Sequence, residues 1–248
     1  MPIKAIVFDA YGTLYDVASI GAAIEAVFPG RAEIVTAIWR MKQLEYSWLR
    51  TMMGRWQDFR SVTRDSLRYA LDTLGLAADT PTLERLVAAQ DHLSPYPEAE
   101  QALAALSSYR LAILSNGSQS MLDALVGNSG FGRYLEAVIS VDPAQAFKPD
   151  PRAYALVEQR LGVAPADVAF VTGNGFDTAG ASSFGFKVVR VERVAPAVIR
   201  RDLATGAPVG PGGFFRAMRM RTEALDHEPT AVVGSLEALP PAIRALGR

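Results

Sequence analysis

From about residue 94 to residue 193 the chain alternates between short apolar runs and amphipathic stretches, and few folds accommodate that order. "RLAILSN" precedes a helical "SQSMLDALVGNSG", "LEAVISVD" precedes "DPRAYALVEQRLGV", and "DVAFVTGN" precedes "FDTAGASSFGF", before a further run, "KVVRVER". Strand–helix–strand repeats of this kind build a parallel sheet covered by helices on both faces. The predicted class is therefore α/β, with a Rossmann-like parallel sheet core. A first strand, "IKAIVF" at residues 3–8, opens the chain, and "TAVVGSL" supplies a last one.

Between that first strand and the alternation lies a span with no convincing strand. In "AEIVTAIWRMKQLEYSWLRTMM" apolar residues recur three or four apart, at Ile34, Ile38, Met41, Leu44, Trp48 and Met52, which predicts an amphipathic helix. "TRDSLRYALDTLGL" reads as a second helix, capped at Ser61 or Thr63 and ending at Gly75, and "TPTLERLVAAQDHL" as a third with Pro81 in its first turn. The expected organisation is a core of residues 1–16 and 94–248 with a helical cap subdomain, residues 17–93, inserted after the first strand. A Gly/Pro-rich excursion at about 195–226 interrupts the core before its last strand. It is either a tolerated surface insertion or a contact between copies. The second is favoured, since Phe214, Phe215, Met218 and Met220 are costly to leave exposed.

Composition excludes several classes. Lys plus Arg number 25 against 26 Asp plus Glu, without the basic surplus that nucleic acid or an anionic membrane requires. There is no cysteine, so disulfides, thiolate metal sites and cysteine nucleophiles are out. No stretch approaches the length of a membrane span, and the opening apolar run, broken by Asp9, is short for a signal sequence. A cytoplasmic protein is expected. G-x-S-x-G, P-loop, G-x-G-x-x-G and H-E-x-x-H patterns are missing, and neither His92 nor His227 stands at a strand end.

Ligands of open α/β sheets bind at the carboxyl ends of the strands. The polar residues there are Asp9 and Thr13, Ser115 and Asn116, Lys148, and Asn174 with Asp177. Each alone has a bland account: a turn cap for Asp9, a helix N-cap for Ser115–Asn116, a surface charge for Lys148. Four strand ends converging on one rim favour a site instead. A carboxylate held by Lys148 and Thr13 is a competent nucleophile, with Asp177 available as a base for water.

The set resembles the haloacid dehalogenase superfamily along nearly the whole chain. That superfamily's phosphatases open with D-x-D-G-T-L, whereas "DAYGTL" here has Tyr11 in place of the second acid. Gly173 stands where their last motif has its first acid. With two carboxylates missing, no metal and no other cofactor are expected. "FDAYGTLYDV", "WRMKQLEYSWLR", "LAILSNGS", "FKPDPRAYALVE" and "GNGFD" together are similar, in order and spacing, to the L-2-haloacid dehalogenases.

That resemblance implies hydrolysis of L-2-haloalkanoic acids to D-2-hydroxy acids. It makes Asp9 the nucleophile that attacks carbon and forms an ester with inversion, and Arg40, with Asn116 and Phe176, the receiver of the halide. Read in isolation, Arg40 would be a snorkelling surface residue. Ser115 and Asn116 would hold the substrate, Lys148 would pair with the nucleophile, Tyr154 would support it, and Asn174 and Asp177 would position and activate water. Tyr11, Leu44, Phe59 and Phe176 would form the apolar wall. The family usually has Ser-Ser-Asn where this chain has Thr172-Gly173-Asn174; Thr172 keeps a hydroxyl of the substrate-binding set and Gly173 loses a donor. The expected partners are a small 2-haloacid and a second copy of the chain, as a homodimer. The rivals are a metal-dependent phosphatase of the same superfamily and a non-catalytic binding protein on this fold.

Overall fold

The structure is a computed structural model, and it describes residues 2–204, 209–219 and 221–247. Six parallel strands form one sheet: β1 (Ala5–Phe8), β2 (Arg110–Ser115), β3 (Ala137–Ser140), β4 (Val168–Thr172), β5 (Lys187–Val191) and β6 (Ala231–Val233). Their order is β3-β2-β1-β4-β5-β6. Every residue of β1 and β4 is buried, so the central strands are covered on both faces, as their nearly continuous apolar sequences require. The chain steps outward from β1 through β2 to β3 and then returns to the far side of β1 as β4. That reversal opens a crevice beyond the ends of β1 and β4, where doubly wound sheets bind ligands.

The segment after β1 carries α1 (Gly21–Val27), α2 (Ala32–Met52), α3 (Phe59–Thr73) and α4 (Thr80–Ala88), with no strand among them. The core resumes with α5 (Ala99–Ala105), α6 (Gln119–Ser129), α7 (Pro151–Leu161) and α8 (Gly175–Phe184). α9 (Pro196–Ala204) and α10 (Pro211–Arg219) make the excursion between β5 and β6, and α11 (Leu239–Leu246) closes the described chain. Residues 205–208 and Met220 of the excursion lie outside the described residues.

Two local expectations are corrected. α3 begins four residues before Thr63: Asp58 is its cap, accepting the Ser61 N–H at 2.8 Å, while the Thr63 hydroxyl donates to the Phe59 carbonyl at 2.7 Å. An ionised carboxylate accepts more strongly at a helix N-terminus than a hydroxyl does. On α2 the apolar stripe is not the most buried face. Of its six residues only Leu44 is buried and Met52 is 74% exposed, whereas Arg40, Gln43 and Ser47 are buried beside Val35 and Trp39. The helix turns a polar strip inward because those groups find polar partners there: Arg40 lines the space at the strand ends, and Gln43 bonds Thr63 of α3 and Gln90.

The excursion lies against α2. The Gly212 N–H donates to Glu33 at 2.9 Å, and the Arg219 guanidinium sits 5.1 Å from the Trp48 ring centre. Phe214 and Met218 remain 51% exposed, while Phe215 is half-buried.

Candidate active site

Asp9 immediately follows β1, and its N–H continues the ladder by donating to Val171 at 2.9 Å. The carboxylate therefore projects from the sheet's central seam. One oxygen, Oδ2, accepts from Thr13 at 2.9 Å and from the Asn174 amide at 2.8 Å. The other, Oδ1, accepts from Lys148 Nζ at 2.8 Å. The lysine also donates to Asp177 at 2.7 Å and to the Leu114 carbonyl at 3.2 Å. Being 1% exposed, Lys148 is no surface charge.

The groups behind this triad hold it in place. The Thr13 hydroxyl, donating to Asp9, accepts the Gly173 N–H at 2.9 Å. Tyr154 donates to the second oxygen of Asp177 at 2.7 Å. Asn116 accepts the Lys148 N–H at 2.8 Å, and Asn174 also donates to the Tyr11 carbonyl at 2.9 Å. Burial pushes the Asp177 carboxyl up from its ordinary range, with the Lys148 charge opposing the rise. Burial disfavours the Lys148 ammonium too, but Asp177 and Asp9 outweigh it and raise its pKa.

A cavity of about 20 Å³ opens beside the Asp9 carboxylate, room for roughly one water. Asp9, Ser115, Asn116, Lys148, Asn174 and Phe176 line it from the core. Tyr11 follows from the first loop, and Arg40, Leu44 and Phe59 complete the wall from the helical segment. The wall is aromatic: Tyr11 and Phe59 rings lie 5.9 Å apart, and Trp48 packs edge-on against Phe176 at 5.5 Å. Arg40 is 6% exposed, so it does not snorkel. Burial brings its pKa down to about 10, and the Arg40 guanidinium lies 6.0 Å from the Tyr11 ring centre.

Two residues of the expected substrate-binding set lie one layer further out. Thr172 is fully buried and its hydroxyl accepts the Asn174 N–H at 3.1 Å; Tyr154 is fully buried against Asp177. Neither lines the cavity, because both hydroxyls are turned toward groups that hold the site. The helix-cap account of Ser115–Asn116 also fails, as α6 begins after Ser118. Sequence reasoning missed Gln43, Gln90 and Arg193. Gln43 accepts from Arg40 and donates to Thr63 at 2.6 Å and Gln90 at 3.3 Å. Arg193 donates to the Thr13 carbonyl and pairs with Glu98. Only Gln43 had a local signal, three residues beyond Arg40 on the same helix.

The donor set does not suit a magnesium ion. An ammonium group already lies between the two carboxylates, and Tyr11 and Gly173 supply no further oxygen anion. A Cβ on Gly173 would run into the Gly12 carbonyl oxygen, so the backbone as placed has no room for an acid there. Among the described residues no cluster of three His, Asp or Glu side chains is positioned to hold a metal.

Comparison with known proteins agrees with this geometry. A family model described as haloacid dehalogenase-like hydrolase matches residues 3–185. The chain is 51% identical to the (S)-2-haloacid dehalogenase of Xanthobacter autotrophicus, over 98% of this chain and 96% of that protein. It is 44% identical to the (S)-2-haloacid dehalogenase of Pseudomonas putida, over 77% of this chain and 85% of that one. The solved L-2-haloacid dehalogenase of Xanthobacter autotrophicus with chloropropionic acid covalently bound superposes with a TM-score of 0.95, at 52% identity, over 98% of both chains. A carboxylate held by three donors at the end of a doubly wound sheet, with likeness in sequence and structure over nearly the whole chain, leads to one assignment: the chain belongs to the haloacid dehalogenase-like hydrolases, within the (S)-2-haloacid dehalogenase family.

Proposed function

We propose that this chain hydrolyses L-2-haloalkanoic acids, such as L-2-chloropropionate and haloacetates, to D-2-hydroxy acids and halide. The observation that carries the reading is the Asp9 carboxylate. Three donors fix it, yet it opens onto a small cavity whose lining combines the Tyr11, Leu44, Phe59 and Phe176 side chains with the Arg40 cation. Three hydrogen bonds orient the nucleophile, and the dry wall strips the water that would otherwise shield it.

An Asp9 oxygen attacks C2 of the substrate from the side opposite the halogen. The carbon–halogen bond breaks, and the halide leaves with the bonding pair toward Arg40, Asn116 and Phe176. The aspartyl ester has the inverted configuration. Before attack Lys148 pairs with Asp9, and Ser115 and Asn116 hold the substrate by hydrogen bonds. Water held by Asn174 then adds to the Asp9 carbonyl carbon. Asp177 takes its proton through a lone pair not used by Lys148 or Tyr154, and its raised pKa suits that role. The adduct collapses with the ester C–O bond breaking, the departing alkoxide takes back the proton held by Asp177, and Asp9, now carrying one oxygen from water, releases the second water proton to solvent and returns to the carboxylate. A halide needs no proton on leaving, so the second acid of the phosphatase motif has no task, and Tyr11 shapes the wall instead.

Residues 17–93 act as the cap in this scheme, since Arg40, Leu44 and Phe59 complete the cavity. The working form is a homodimer joined through the excursion, where Phe214 and Met218 are each 51% exposed; Phe214→Glu would shift it to monomer in sedimentation. Among the described residues no helix is long and apolar enough to cross a membrane. The cytoplasm, expected from composition, would be tested by cell fractionation.

The deciding experiment supplies L- and D-2-chloropropionate separately, with a chelator present, and follows chloride. Chloride from the L form alone, with D-lactate as product, is the expected result. Chloride from neither, with magnesium-stimulated phosphate release from phosphate esters, would overturn the reading.

A further inference from the structure

Arg40 differs from the other cation of the cavity. Lys148 lies between two carboxylates. Arg40, among the described residues, has a single hydrogen-bond partner, the uncharged Gln43, and its Nε–H is buried without one. Arg40 also walls two spaces. One is the catalytic cavity of about 20 Å³; the other is a pocket of about 630 Å³ lined also by Tyr96, Arg193 and Phe215. A long side chain between two spaces needs something to decide which it faces.

We propose that Gln43 is the positioning residue of Arg40: it holds the guanidinium toward the catalytic cavity while leaving its charge free for the departing halide. This rests on reading Arg40 as the leaving-group site. Gln43 is fully buried on α2, three residues from Arg40, and does not line the cavity. A guanidinium has no acceptor, so Gln43 presents its oxygen to Arg40 and its NH₂ elsewhere. That NH₂ is occupied: it donates to Thr63 Oγ1 at 2.6 Å and to Gln90 Oε1 at 3.3 Å. The Thr63 hydroxyl spends its own proton on the Phe59 carbonyl at 2.7 Å, which leaves only acceptor capacity for Gln43. A flipped amide would set NH₂ against guanidinium and oxygen against oxygen. α3 and the Gln90 turn therefore fix the amide, and the amide fixes the arginine.

The neutrality of the partner matters as much as its position. A carboxylate would hold Arg40 more tightly, but would cancel the charge on which the halide depends. An apolar residue would leave the guanidinium charged and free to swing into the larger pocket.

The test compares the full-length wild type with Gln43→Met and Gln43→Glu. Bromide ion serves as the binding probe, and L-2-chloro- and L-2-bromopropionate as substrates. Losing one hydrogen bond to a charged group is expected to lower kcat/KM for the chloro acid about 10- to 100-fold in Gln43→Met. The bromo acid should lose less, because bromide spreads its charge and relies less on donors, and bromide itself should bind more weakly. Gln43→Glu keeps the acceptor and the side-chain shape, yet should also weaken bromide. A melting temperature on each variant separates folding from positioning, since a packing role would lower stability without moving the chloro-to-bromo ratio. Bromide affinity and that ratio unchanged in either variant would overturn the proposal, as would a wild type that binds no bromide. A wild type that binds bromide through Gln43 but releases halide from neither haloacid would refute the dehalogenase reading and leave the role of Gln43 standing.

Discussion

Replacing Gly173 by alanine tests whether two loops must touch for the Asp9 carboxylate to be held. Gly173 follows β4, and its φ lies outside the left-handed region, so any obstacle to a side chain is steric. An added Cβ would strike the Gly12 carbonyl oxygen, with the Gly12 carbon at 3.4 Å and the Val191 oxygen at 3.5 Å. These neighbours are backbone and cannot rotate aside. Carbon rests near 3.3 Å or more from a carbonyl oxygen, so the loops would have to part by something approaching 1 Å. Overpacking of that kind costs about 1–3 kcal/mol, or roughly 2–12 °C in melting temperature for a chain of this size. The larger effect falls on catalysis. Gly173 donates to Thr13, the next residue is Asn174, and both Thr13 and Asn174 bond the same oxygen of Asp9. Displacing their shared support by about 1 Å is expected to lower kcat on the order of 100-fold. Scanning calorimetry reads the first effect and chloride release from L-2-chloropropionate the second. A variant with wild-type melting and kcat would refute the steric argument. Reduced melting with unchanged kcat would refute the link between this contact and Asp9. Gly173→Ser should behave likewise, so restoring the serine usual in the family requires a wider loop spacing as well.

Three further outcomes are expected. Lys148→Met leaves two buried carboxylates without their cation, which should cost about 3–5 kcal/mol and abolish turnover; calorimetry and halide release check both. The Lys148 pKa is raised above its ordinary 10.5 in the folded chain, so its stabilisation is complete below that pH and is lost as pH climbs through the higher folded value; melting above pH 10.5 should fall more steeply in the wild type than in the variant. Tyr154→Phe removes a donor from Asp177, a bond that lowers the carboxyl's pKa, so the acid limb of the kcat profile should move to higher pH, with stability down by about 1–3 kcal/mol.

The sequence by itself carried the sheet and the positions of its ends. In the central strands the apolar runs stop at Asp9, Ser115 and Thr172, because a strand covered on both faces stays apolar until it emerges at the rim of the sheet, and this rule is local. The same locality made the motifs readable: Asp9 with Thr13, and Lys148 ahead of Pro149, lie within a few residues of a strand or helix end. What only the tertiary structure decided is which way side chains turn. The apolar stripe of α2 pointed to one face, but packing over the strand ends buried Arg40, and packing against α3 and Gln90 buried Gln43, instead. Thr172 and Tyr154 carry hydroxyls suited to a ligand, yet both are directed at neighbouring protein groups, Asn174 and Asp177. Gln43 meets Gln90 across 47 positions, and Arg193 reaches Thr13 across 180. A strand end is written in the residues around it. The rotation of a helix about its axis, and the partner that a buried polar group finds, depend on chain segments far away, and only the folded packing brings them together.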